Sequence, residues 1–178
     1  DAWYDETGLA WVGPSPNLRT LTQATLYPGV AMVEGANVSV GRGTGSPFEL
    51  LGAPWMDGSA LADYLAGRSI RGVRFVATTF TPRTARYAGR TCRGVRIEVT
   101  DRDALDSPAL GIEIASALHR LYPREFQLDK TLGMIGARRV VAAIGQGVDP
   151  RSIRPGWQTA LDRFTVLRSR YLLYDRES

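Results

Sequence analysis

Cysteine, histidine and lysine are all but missing from this chain: Cys92, His119 and Lys130 are each alone of their kind among 178 residues. One cysteine excludes an internal disulfide and any thiolate metal cluster, and one histidine excludes a zinc site built from histidines. No metal and no cofactor is expected. Missing too is any run of about 18 apolar residues, so no membrane-spanning helix is expected. The opening DAWYDETGLAW carries neither an initiator Met nor the basic start and apolar core of a signal peptide. Either such a signal has been removed, or the chain begins part-way through a longer protein. Phosphate and acyl-transfer signatures are absent as well. The glycines of GANVSVGRGT lack both the P-loop lysine and the GxGxxG spacing, and there is no GxSxG elbow.

What is present is an ordinary globular composition, 44% hydrophobic and 22% charged, with arginine in unusual dominance. Net charge is +4 and nearly all the positive charge is guanidinium, which suits carboxylates and phosphates. A nucleic-acid partner is not expected, because the arginines alternate with acids and apolar residues, as in RSIRGVRF and LDRFTVLRSRY. Cys92, just ahead of a strand-like run, reads as a buried structural thiol. His119 reads as a partly exposed structural histidine.

Turn and period signals place a short helix at about Arg19 to Leu26, stopped by Pro28 and Gly29, and then a strand, VAMVEG. Asp57 is positioned to cap a helix over GSALADYLAGR that ends near Gly67. Two alternating runs, GVRFVATTF and GVRIEVT, read as half-buried strands joined by a loop, TPRTARYAGRTCR, of functional length. Ser107 and Pro108 open a helix that runs to Pro123, and helices are expected in ARRVVAAIGQG and in PGWQTALDRFTVLRSRYLLY. The fold class is therefore α+β: one domain over 1–178, with a small mixed β-sheet packed by helices and a helical C-terminal half.

The stretch EGANVSVGRGTGSPFE, Glu34 to Glu49, holds four glycines, one arginine and several hydroxyl and amide side chains between two carboxylates. Glycine lets a ligand approach the main chain closely, while Asn37, Ser39, Arg42, Thr44 and Ser46 supply hydrogen-bonding groups. Two readings stand side by side. The loop is a binding surface, or Glu34 and Arg42 pair across it while Asn37 and Ser39 bond backbone to fix its shape. Glu34 and Glu49 as a catalytic carboxylate pair are a weak signal. Ser15 and Asn17 form a turn. Trp3, Trp11, Trp55, Tyr27 and Tyr87 are candidates to stack on the flat face of a ligand, while Trp157 and at least one of the other tryptophans read as core anchors.

WVGPSPN, YPGVAMVEGANVSVGRGTGSPFELLGAPW, GVRFVATTFTP, GRTCRGVRIEVTDR and RYLLY occur here in one order. In that order they resemble the C-terminal part of the NamZ-type exo-β-N-acetylmuramidases, across essentially the whole chain. Ala36 stands where the family's motif has threonine, and Val40 where many members have glutamate. The resemblance implies the substrate-cleft domain of an exo-lytic glycoside hydrolase that releases N-acetylmuramic acid from non-reducing ends of peptidoglycan fragments. It further implies an N-terminal Rossmann-like domain as partner, carrying the presumed catalytic glutamate outside this chain, and a periplasmic or extracellular location. For a peptidoglycan-derived saccharide, Arg42 is the expected partner of the lactyl carboxylate. Asn37, Ser39 and Thr44 would meet hydroxyl or acetamido groups, and Glu34 would accept sugar hydroxyls or orient Arg42. The alternative is a noncatalytic cell-wall glycan-binding or partner-interaction module.

Overall fold

A computed structural model describes residues 2–173. In chain order the elements are α1 (Leu21–Val30), β1 (Leu50–Ala53), α2 (Gly58–Gly67), β2 (Val73–Phe80), β3 (Cys92–Val99), α3 (Ser107–Leu121), α4 (Leu132–Ile135), α5 (Arg138–Gly145), α6 (Pro150–Ile153) and α7 (Pro155–Ser169). The α+β class and the helical second half are as expected.

The first helix departs from expectation. Thr20 caps α1 by accepting from Gln23 N at 3.2 Å, but the helix runs through Pro28 to Val30. VAMVEG is not a strand; it is the end of α1 followed by a 3-10 turn over Ala31–Val33. Tertiary packing overrides the proline signal here. Gly29 lies so close to α3 that a Cβ on it would sit 2.0 Å from Ser107 O, and one on Gly111 would sit 2.5 Å from Gly29 O. Ser107 Oγ accepts from Gly29 N at 3.0 Å and donates to Leu26 O at 3.3 Å, so one hydroxyl serves two α1 backbone groups near the proline. Val30 and Val33 are fully buried as a result.

The sheet order is β1-β3-β2, and both hydrogen-bonded pairs are antiparallel rather than mixed. The β1–α2–β2 crossover sets two strands running the same way but apart, and β3 returns from the β2 loop to fill the gap between them. Asp57 caps α2 as expected, accepting from Ser59 N at 2.9 Å and Ala60 N at 3.1 Å. For α3 the cap is Asp106, accepting from Ala109 N at 3.0 Å, with Ser107 and Pro108 in the first turn.

Helix α3 is the centre of the core, with Leu110, Ile114 and Leu118 fully buried in one cluster with Leu26, Leu51 and Leu65. Arg68 at the end of α2 forks onto Glu113 of α3 and Asp149 ahead of α6, which holds its guanidinium above the usual range, Glu113 contributing most. Cys92 is fully buried, and burial pushes its thiol up. Helix α7 ends at Ser169; Tyr174, last of the RYLLY motif, lies outside the described residues. Among the described residues, no helix is long and apolar enough to cross a membrane.

Candidate functional site

The glycine loop is held from three sides. Ser39 pairs with Gly52 of β1 through both backbone groups, at 2.8 and 2.9 Å, so the loop adds a short extension to the sheet edge. Asn37 is anchored to the segment after α3: its Nδ2 donates to Glu125 O at 2.8 Å and its Oδ1 accepts from Gln127 N at 3.0 Å. From the third side comes the β2–β3 loop. Arg83 N donates to Gly43 O at 2.9 Å, and a Cβ on Gly43, which has φ 80°, would lie 2.3 Å from Thr84 O. Only glycine fits there.

Within this frame Arg42 grips Glu34 with two parallel contacts, Nε to Oε1 and Nη2 to Oε2, the second at 3.0 Å. Its guanidinium lies 5.0 Å from the centroid of the Phe48 ring, an arrangement that adds cation–π attraction to the ion pair. Thr44 Oγ1 donates to Gly41 O at 2.6 Å and accepts from Ser46 N at 3.0 Å. Ser39 is buried, and its Oγ accepts from Gly41 N at 3.3 Å.

Glu34 and Arg42, with Val38, Ser39 and Val40, form one side of a cavity of about 220 Å³; Ala85 and Arg86 of the β2–β3 loop close it. Three of the five residues singled out in the sequence thus share the cavity: Glu34, Ser39 and Arg42. Asn37 and Thr44 do not line it; their side chains bond the backbone that shapes the loop. Glu49 is also outside it, accepting from Gln23 Nε2 at 3.0 Å and lying 3.8 Å from Arg96.

Ala85 and Arg86 were not singled out in the sequence, although the length of their loop suited a functional one. Tyr87 turns out to be a fastener. Its OH donates to Asn37 O at 2.8 Å and accepts from Trp55 Nε1 at 3.3 Å. Trp3 donates to Asp103 and Trp11 to Leu18 O, while Trp157 packs on the core, so none of the tryptophans lines this cavity.

Left-handed backbone gathers at the site. Phe48, Ala85 and Tyr87 have φ of 64°, 65° and 63°, a conformation that costs a non-glycine residue about 1–2 kcal/mol. Such strain persists only where surrounding structure over-determines it, and it concentrates where side chains must be aimed. A larger cavity, about 810 Å³, lies between α2, α3 and the end of α5 and shares no lining residue with the first. His119 and Ser116 line it, with His119 Nδ1 and Ser116 Oγ buried and, among the described residues, unpartnered. Among the described residues no group of three or more His, Cys, Asp and Glu could hold a metal ion.

The family model described as exo-β-N-acetylmuramidase NamZ, C-terminal, matches residues 25–174. The chain belongs to this NamZ C-terminal family. It is 35% identical over 174 residues to the peptidoglycan β-N-acetylmuramidase NamZ of Bacillus subtilis (strain 168), a match that covers 96% of this chain and 42% of the relative. Two crystal structures of DUF1343 family proteins from Bacteroides fragilis NCTC 9343 are also similar. One superposes with a TM-score of 0.81 at 23% identity, over 97% of this chain and 47% of its own, and establishes likeness of fold alone. The other has a TM-score of 0.70 at 27% identity, over 93% and 44%. The chain therefore spans less than half the length of each of these three proteins.

Proposed function

We propose that this chain forms one wall of the saccharide cleft of a glycoside hydrolase that releases N-acetylmuramic acid from the non-reducing ends of peptidoglycan fragments. The observation that carries the reading is the cavity built on the Glu34–Arg42 pair, on a loop held in place by the sheet edge, the segment after α3 and the β2–β3 loop. Such a wall recognises substrate without supplying the reaction's proton transfer. Both Glu34 oxygens are engaged by Arg42, yet each keeps a lone pair able to accept a sugar hydroxyl, and Arg42 Nη1 still has N–H groups to donate to an acetamido or hydroxyl oxygen. Ser39, buried at the floor, holds the loop's shape under that wall.

The catalytic carboxylate would come from a preceding Rossmann-like domain facing this wall. Such a substrate implies a periplasmic or extracellular location. The complete natural protein is expected to release N-acetylmuramic acid from a muramyl-terminated disaccharide, and Arg42→Ala to lower kcat/KM about tenfold or more. No release by the complete protein, or an unchanged kcat/KM in the variant, would overturn the reading. A second reading, a noncatalytic glycan-binding or partner-interaction module, draws on α7, none of whose residues is buried. Saccharide binding by the complete protein with no turnover would favour it.

A further inference from the structure

The cavity contains more positive charge than the Glu34–Arg42 pair can absorb. Arg42 is matched by Glu34, so its charge is spent within the protein. The remaining cation in the lining is Arg86, which is exposed and, among the described residues, makes no ion pair and donates no side-chain hydrogen bond. Its position is not casual. On its N-terminal side Arg83 N is bonded to Gly43 O, and on its C-terminal side Tyr87 OH is bonded to Asn37 O, so both ends of a short segment are fastened to the glycine loop. Its two sequence neighbours, Ala85 and Tyr87, are the pair held at positive φ. A loop that accepts left-handed backbone on both sides of one unpaired arginine, with that arginine lining a cavity, is built to hold the side chain there.

We propose that Arg86 is the residue that binds the carboxylate of an acidic amino sugar in this cavity, and so sets the preference for N-acetylmuramic acid over N-acetylglucosamine. The inference rests on the saccharide-cleft reading and deepens it. The two sugars differ by the lactyl ether, whose carboxylate needs a planar, bidentate cation; Arg86 offers one that no protein acid has claimed. The neutral ring, hydroxyls and acetamido group then fall to Glu34 and Arg42, whose charges cancel. Discrimination and general sugar affinity thereby reside on different loops. The division makes them separable by mutation.

The test uses the complete natural protein and two probes, N-acetylmuramic acid and N-acetylglucosamine, with affinities measured by calorimetry or ligand-observed NMR. Arg86→Ala is expected to weaken N-acetylmuramic acid about tenfold or more while N-acetylglucosamine stays within about twofold, since a hydrogen bond to a charged group is worth more than a neutral one. Arg86→Lys is expected to restore part of the loss, because it returns the charge without the fork. Arg42→Ala is expected to weaken both sugars alike. Equal effects of Arg86→Ala on the two probes, or discrimination that disappears in Arg42→Ala instead, would overturn the assignment while leaving the cleft reading standing. If the unaltered protein binds neither sugar, the cleft reading itself fails and the role of Arg86 falls with it. A near-native amide spectrum of each variant excludes misfolding as the cause.

Discussion

Helices α3 and α7 are both 15 residues long and both have proline in the first turn, yet nine residues of α3 are buried and none of α7 is. Each sequence carries apolar residues at helical spacing. What separates them is how closely other backbone can approach. Helix α3 places Gly111, Ala115 and Ala117 among its large side chains, and α1 comes down onto Gly111 at near-contact distance. In α7 only Trp157 is packed against the core, while Leu161, Phe164 and Leu167 remain exposed. An apolar stripe therefore reports that a helix can be packed; small residues at the crossing point report that it is. An isolated helix of this length gains little from propensity alone, so α3 owes its stability to packing that α7 does not receive from these residues.

Truncating the two helices gives the widest expected contrast. Leu118→Ala in α3 is expected to cost about 2–5 kcal/mol in chemical denaturation, and Leu161→Ala in α7 less than about 0.5 kcal/mol. Comparable losses at both sites would show that α7 is packed in solution. The glycines sharpen the comparison further. Gly111→Ala forces a Cβ to within 2.5 Å of Gly29 O and is expected to destabilise by about 1–3 kcal/mol. Gly156→Ala in α7, where a Cβ meets nothing within 4 Å, is expected to be neutral or to stabilise by up to about 1 kcal/mol.

The smallest effect concerns the link from the end of α2 to the approach to α6. The Arg68 guanidinium, and next the Arg151 backbone N–H, hold Asp149 down to about 2. Because its folded value lies below the unfolded one, this contribution is fully present above about pH 4 and is lost as pH falls towards 2. With the Asp149 side chain 48% exposed, solvent screening keeps it under about 1 kcal/mol. Asp149→Asn should flatten the acid limb of the stability profile over that window and leave stability-versus-pH slopes near neutrality unchanged. An acid limb identical to that of the unaltered protein would show that the Arg68–Asp149 contact does not stabilise the fold.

Local chemistry made much of the fold readable. The alternation in GVRFVATTF and GVRIEVT marked β2 and β3, Asp57 marked the start of α2, and Ser107 with Pro108 marked α3. Strand β1 escaped notice because all four of its residues are buried, leaving no period-two signal in LLGA. The strand expected at VAMVEG failed for a long-range reason. The contact of Gly29 with Ser107 and Gly111 rewards continuing the helix past Pro28, and nothing near Pro28 in sequence announces it. The site divides in the same way. Glu34, Ser39 and Arg42 share one loop and could be grouped by inspection, and the alternative use of Asn37 in bonding backbone was equally visible. Arg86 reaches the cavity only because Gly43 admits the β2–β3 loop and Tyr87 fastens it to Asn37, contacts that no spacing rule in the sequence encodes.

The Glu34–Arg42–Arg86 cavity is proposed as the seat of an acidic amino sugar. The most direct test is the position of N-acetylmuramic acid in crystals of the complete natural protein. The expected result places the pyranose against the Glu34–Arg42 pair with its carboxylate on Arg86. The sugar bound instead in the larger cavity beside Ser116 and His119, with the Glu34–Arg42 cavity empty, would contradict it.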